Sequence, residues 1–513
     1  MHWLDLLIIA IYMFALIAMG LYFSRRQTST EAYFVAKRSI PGWAMGLSLL
    51  ATIITSVTFI AYPGAAYAGN WSMLVPGIMI IIVLLLIGTV IVPFFRQVVR
   101  MSAYEYFGKR FGAAVRYYAS FAFAVGHIAK MGFVLYLLAL TVGSMTQWNV
   151  DRIIVIVGAV TIFYTLLGGM QAVIWSDVMQ SVVLWLGILV CVGTLLYSPP
   201  GGAHAALAMA WKHHKFSLGS TQPRLDQPTI LVLAIYGFFF YVQKFTADQT
   251  VVQRYLVART DKSAFRGVVL GSVLCIPVWT AFMFIGSLLW SFYRLTGEHL
   301  PSTIVKPDQV FPHFLVTHIP VGLAGLFVAS LFGSAMSMLA SDMNCLALIG
   351  VEDFYRSLRK KATDRERLRA SKWMVVANGV IASTAAILLA HSQSAALALY
   401  YTVTAIVAGG LAGLFMLAFL SRRAGNTAAH GGILACLIFT IWATLTAHNG
   451  LIVNMGHWNF PWHEFTIGAI GNLLLLAVGL LLGAIFPATQ ADVQQLCLWG
   501  WLEKRRQMVS ETK

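Results

Sequence analysis

Apolar stretches long enough to cross a bilayer recur from one end of this chain to the other. A hydrocarbon core about 30 Å thick takes ~20 apolar residues as an α-helix. No water is present there to satisfy an exposed backbone, so a chain of such stretches folds as a helix bundle. Thirteen apolar runs fit, near 3–23, 42–68, 73–95, 117–146, 152–170, 173–197, 228–252, 267–292, 319–348, 373–391, 394–420, 428–447 and 465–487. They leave no room for a separate soluble domain. Of 513 residues only 11% are charged, against about 25% in a typical globular chain. The first run reads as a retained span rather than a signal peptide. Asp5 stands at its start, no basic residue precedes it, and Arg25 and Arg26 follow in place of a small-residue cleavage site. The fold class is therefore an all-α polytopic membrane protein.

The basic residues then orient the bundle. With the N-terminus outside and the spans alternating, the inside segments hold 27 of the 35 lysines and arginines, eight of them between Arg356 and Lys372. Six fall outside, and Lys130 and Lys244 lie within spans. Positive residues gather on the cytoplasmic side, which predicts the N-terminus outside and the C-terminus inside. This placement also accounts for the net charge of +16 through orientation and anionic headgroups, without a nucleic-acid partner. Cys191, Cys275, Cys345, Cys436 and Cys497 lie in or beside apolar segments with no CxxC, so they read as packed free thiols. His213 and His214 are adjacent, a poor spacing for joint metal ligation, and read as surface residues of an outer loop. No Walker A, HExxH, GxSxG or CxxCH motif occurs. ATP-driven machinery and an enzyme's nucleophile–base constellation are both absent from the sequence.

Polar residues inside the spans carry the functional signal. A carboxylate at the bilayer centre costs ~2.5–3.5 kcal/mol even on a lenient scale, so such residues face the bundle interior and are functional by default. Asp177, Asp248 and Asp342 are the acids within spans. Asp177 shares one helix face with Gln180 and Ser181. It is either a site for a hard cation or a buried acid paired with Lys130. Ser330, Ser334, Ser337 and Ser341 form a continuous hydroxyl face, which suits either an ion path or close helix packing. Thr52, Thr55, Ser56 and Thr58 cluster in the second span, followed by Pro63 and Gly64. This suits a discontinuous helix whose freed carbonyls hold an ion, or a proline kink. Lys130 lies mid-span, as a counterion to Asp177 or a contact for an anionic solute. Lys244 with Asp248 at i+4 reads as an ion pair near the inner interface.

These residues resemble the sodium:solute symporter family, in order and across nearly the whole chain. Arg25-Arg26 through Tyr33-Phe34 to Pro41-Gly42-Trp43-Ala44 is similar to its first inner loop, and Ser102–Tyr106 with Arg110-Phe111-Gly112 to its second. Gly168–Asp177, then Asp248-Gln249 with Val252-Gln253-Arg254, then Gly410–Leu417 resemble its signatures. The detail is most similar to the sialic acid transporter branch, especially from Gln243 to Tyr255. The resemblance implies a LeuT-type fold of two inverted five-helix repeats, at 42–197 and 228–420. Before them would come a leading helix and inner loop (1–41), between them an extracellular loop (198–227), and after them two trailing helices (421–487) and a basic cytoplasmic tail (488–513).

The resemblance also implies the sites. The main sodium site would use backbone oxygens of Ala51, Ile54 and Ser334 and the hydroxyl of Ser337. A second would use Asp177, Ser337 and Ser341. Met338 and Ala340 stand where the family has hydroxyls, and Asp342, one residue further, is the compensating candidate. Lys130 stands where the sialic acid branch has a carboxylate-binding arginine; it keeps the charge but loses the bidentate fork. Met73 and Gly77 stand at that branch's polar positions on the third span, with Thr55, Thr58 and Lys244 as further solute-site candidates. The expectation is sodium-coupled symport of a small polar solute (a sugar, sugar acid or small carboxylate) into the cell by alternating access. Sodium is the coupling ion, with no organic cofactor, no transition metal and no protein partner implied. A bacterial inner membrane is the expected residence. The alternatives are a sodium-independent facilitator of the same fold and a solute-sensing receptor.

Overall fold

A computed structural model describes residues 2–99, 101–146, 148–302, 304, 306–392, 409–450, 452–488 and 496–511. Among these residues the regular structure is helical, with one isolated bridge between Ile40 and Ala258. Among the described residues nine helices are long and apolar enough to cross a membrane, and two bent helix pairs bring the total to eleven. The major helices are α1 (Trp3–Ser24), α2 (Gly42–Ile53), α3 (Ser56–Ala68), α4 (Leu74–Val98) and α5 (Ala113–Thr146). They continue as α6 (Val150–Tyr197), α7 (Ile230–Thr246), α8 (Gln249–Val257), α9 (Asp261–Thr296) and α10 (Leu323–Ile349). The last are α11 (Asp364–Ala390), α12 (Leu411–Leu420), α13 (Asn426–Gly450) and α14 (Phe465–Ile485). Many starts carry a side-chain cap: Asn149 before α6, Thr229 before α7, Asp248 before α8 and Thr260 before α9.

Two predicted spans have interruptions that hydropathy does not show. The run 42–68 is α2 and α3, with extended backbone at Ile54 and Thr55 between them. The break lies well before Pro63, which sits inside α3. The run 228–252 is α7 and α8, bent by 47° at a break near Ala247 and Asp248. The runs 152–170 and 173–197 together make up α6, which is two helices joined across a kink, as the two separate runs predict. Gly169 breaks its geometry at φ 54° and ψ −155°. In the predicted span 394–420, residues 394–408 lie outside the described residues, and α12 follows a turn at 409–410. The expected outer loop 198–227 contains a helix, Gly202–Lys212, and the basic tail contains another, Leu498–Glu511, whose Trp501 packs against Phe94.

The centre of the bundle is α10. Every residue from Phe327 to Ile349 is buried, the signature of a helix wrapped by protein on all sides. It packs against α1, α6 and α11. A second close contact joins α2 to α9 at small residues. A Cβ on Gly46 would lie 2.7 Å from the Gly267 carbonyl, and one on Gly267 would lie 2.4 Å from the Gly42 carbonyl. Glycines four apart on both helices let the backbones meet. This contact braces α2, so that its broken end is held beside α10. All five cysteines are free and buried.

Candidate functional site

The broken end of α2 and the hydroxyl face of α10 meet. A helix end leaves its last carbonyls without intrahelical partners, and Ala51 and Ile54 lie at that end. The Ser334 hydroxyl donates to the Ile54 carbonyl at 3.2 Å. One turn along α10, the Ser337 hydroxyl donates to Oδ1 of Asp177 on α6. Gln180, one turn beyond Asp177, donates to the Ser330 carbonyl at 3.2 Å, and Ser181 donates to the carbonyl of Asp177 at 2.8 Å. The polar faces of α6 and α10 are therefore packed against one another, with the end of α2 inserted between them.

Asp177 has a strong counterion. Arg254, on α8, places Nη2 3.0 Å from Asp177 Oδ2, and neither side chain is exposed. Ser48 on α2 donates its hydroxyl to the same oxygen. Arg254 also reaches Ser48 Oγ through Nε at 3.0 Å, Ser341 Oγ through Nη2 at 2.9 Å and the Thr250 carbonyl through Nη1 at 2.6 Å.

A second polar centre lies at a cavity of about 420 Å³ between α5 and the α7–α8 bend, lined by His127, Lys130, Lys244 and Asp248 with the rings of Phe123, Tyr236 and Phe240. Lys244 pairs with Asp248 at 2.5 Å across the bend. Asp342 reaches the same group from α10. Its Oδ1 lies 2.9 Å from His127 Nδ1, and its Oδ2 lies 3.2 Å from Lys130 Nζ. His127 Nε2 faces Asp248 Oδ2 at 3.5 Å, so each ring nitrogen faces a carboxylate. The Lys130 ammonium is buried and makes no hydrogen bond of good geometry. A buried cation with unused donors, in a cavity walled by aromatic rings, has the chemistry to receive a small polar or anionic ligand.

The family model described as sodium:solute symporter matches residues 33–436 of the chain. This chain belongs to the sodium:solute symporter family. The sodium/sialic acid symporter NanT of Aliivibrio fischeri is 32% identical over 93% of this chain and 92% of its own length. SiaT of Proteus mirabilis, also a sodium/sialic acid symporter, is 31% identical over 94% of this chain and 95% of its own. A solved structure, the substrate-bound outward-open state of a Na+-coupled sialic acid symporter, superposes with a TM-score of 0.88 at 30% identity, covering 95% of this chain and 99% of that one. The symporter is thus an integral membrane transporter and not an enzyme, and sodium is its coupling ion.

The symporter groups most of the residues anticipated from its sequence, but in different sets. Ile54, Ser334, Ser337 and Asp177 lie along one connected line. Ser341 joins it through Arg254. Asp342 does not join it. It turns to Lys130 and His127, because adjacent residues on a helix point about 100° apart. Lys130 is therefore the partner of Asp342 and not of Asp177. Lys130 and Lys244 share the cavity, whereas Thr55, Thr58, Met73 and Gly77 are not among its lining residues. Gly77 packs against the Trp279 ring, where a Cβ would come within 2.7 Å. Arg254 was counted with the basic inner segments, yet it is fully buried. So is Arg110, whose guanidinium caps the carbonyls of Ala418, Ser421 and Ala424. Arg116 is held by Asp353, which also accepts from Ser102 and Ser120. Charge in a polar segment cannot announce this burial, because, apart from the Thr250 carbonyl, the partners lie 77 to more than 300 residues away in sequence.

Proposed function

We propose that the symporter couples inward movement of sodium to uptake of a small carboxylate solute, sialic acid or a related sugar acid, by alternating access. The carrying observation is the junction at which the Ser334 hydroxyl meets the Ile54 carbonyl at the break between α2 and α3. Oxygen ligands are what a hard cation requires, and we assign sodium to the oxygens of Ala51, Ile54, Ser334 and Ser337. An ion there bridges α2 and α10 and favours the arrangement in which they are together. The solute site is the cavity at Lys130, whose free ammonium donors face a carboxylate, while Lys244, Gln243 and the aromatic rings receive the rest of the molecule. The similarity to NanT and SiaT supports a sugar acid over a neutral sugar.

Thermal unfolding of the purified protein in detergent tests this reading. Sodium is compared with potassium over sialic acid, neutral sugars and monocarboxylates. A ligand that binds only the folded state raises its stability by mass action. The expected result is a sodium-specific rise that deepens with one acidic solute. Solute shifts indifferent to sodium would sink the coupled reading.

A further inference from the structure

Asp342 is a fully buried acid of α10 that is neither in the sodium site proposed above nor among the residues lining the solute cavity. Its Oδ2 lies 3.2 Å from Lys130 Nζ and its Oδ1 2.9 Å from His127 Nδ1, so it stands behind the wall that these two residues form. Among the described residues that line the cavity, every basic side chain already faces an acid. Lys130 has Asp342, Lys244 has Asp248, and His127 stands between the two carboxylates. We propose that Asp342 sets the charge of the solute: by holding the Lys130 ammonium from behind, it restricts the cavity to acids with one negative charge and turns away dicarboxylates and sugar phosphates. The proposal rests on the reading of the Lys130 cavity as the solute site and adds a substrate class to it.

The two lysines differ in where their acids stand. An ammonium carries three donors on one charge. The acid of Lys130 lies behind the wall, so the donors still open to the cavity can hold one carboxylate while the charge beneath them is offset. The acid of Lys244 is in the wall itself, 2.5 Å from the ammonium. A second negative group that approached Lys244 would meet Asp248, and like charges side by side reject a ligand. Elsewhere it would face the rings of Phe123, Tyr236 and Phe240. A cavity of about 420 Å³ encloses most of a small ligand, and a charge buried there without a partner is strongly unfavourable. Leaving a charge unpaired in the wrong ligand is a means of specificity. Water does not weaken the hold of Asp342, because every α10 residue from Phe327 to Ile349 is buried and charges in such surroundings act strongly on one another.

Calorimetric binding to the purified full-length protein in nanodiscs, in saturating sodium, tests this with two matched pairs of acids. One is sialic acid against its terminal phosphate ester, the other gluconate against glucarate, which differ by a hydroxymethyl group against a carboxylate and so hardly in size. In each pair that binds, the more highly charged partner is expected to be more than about tenfold weaker, as for a buried charge without a partner. A partner within about tenfold of its monoanion would overturn the proposal. In Asp342→Asn the preference should shrink by roughly tenfold or more, through tighter binding of the dianion, because the Lys130 charge is no longer offset. Asp342→Glu keeps the charge and should keep the wild-type preference. An unchanged preference in folded Asp342→Asn would leave Asp342 a purely structural residue and overturn the proposal. If that variant does not fold, the gluconate–glucarate ratio of the wild type still decides. Binding of none of the four acids would instead sink the acidic-solute reading beneath the proposal.

Discussion

Ser337 stands between the two polar regions, giving its proton to Asp177 while its oxygen lies on the α10 face opposite the break. Ser337→Ala removes a hydroxyl oxygen from the proposed sodium site. A hydrogen bond to a charged group contributes ~1.5–3 kcal/mol. If an ion–hydroxyl contact is of similar size, the sodium concentration for half-maximal stabilisation should rise roughly 10- to 150-fold. An unchanged requirement would remove Ser337 from the site. Lys130 makes a different prediction. Lys130→Met strips Asp342 of one partner, and breaking a buried pair costs ~3–5 kcal/mol, so stability and solute binding should both fall. Adding Asp342→Asn should restore the melting temperature but not solute binding, and recovery of both would show that Lys130 does not touch the solute. At this scale the acids were legible from their cost in lipid, and their partners were not. Asp177 pairs with Arg254 across 77 positions. Hydropathy measures transfer to lipid, so the polar segment carrying Arg254 reads as a loop although protein surrounds it.

Among the elements, the long apolar runs were legible because the bilayer fixes their length, whereas hydropathy alone did not show the break in the run 42–68, which its hydroxyl cluster offered only as one of two readings. A hydropathy window averages over the extended pair Ile54–Thr55, and Pro63, the obvious breaker in that run, sits inside α3. What decides the break is tertiary, namely the α10 hydroxyl that satisfies a freed carbonyl. The break in α6 is different, because it depends on glycine itself. At φ 54° and ψ −155° Gly169 has a conformation that is essentially closed to other residues, and a Cβ there would lie 2.8 Å from the Tyr33 carbonyl oxygen. Gly169→Ala should destabilise the protein by at least ~1–3 kcal/mol from backbone strain alone, seen as a lower melting temperature. The control Gly193→Ala, which meets nothing within 4 Å, should leave it unchanged. Equal effects would mean that α6 tolerates a continuous helix.

For the whole molecule, the distribution of lysine and arginine predicts the orientation. Several arginines counted as loop charges prove to be structural, Arg110 and Arg254 among them. The asymmetry of 27 to six is too large for their removal to reverse it. A tag after Lys513 should therefore become accessible to an impermeant label only after the membrane is opened, and one before Met1 should be labelled in intact cells. The reverse pattern would invert the assignment of every loop. The Lys130 cavity has a consequence at this scale as well. A sodium ion entering through 100 mV releases ~2.3 kcal/mol of electrical work, and a tenfold concentration ratio adds ~1.4 kcal/mol. A monovalent anion seated at that ammonium would carry its own charge inward and cancel the electrical part for one sodium. Accumulation driven by one ion would then reach about tenfold per tenfold sodium ratio, where a neutral solute would reach roughly 500-fold. A buried ammonium that favours acids would thus set not only what the transporter carries but how much of the membrane voltage drives it.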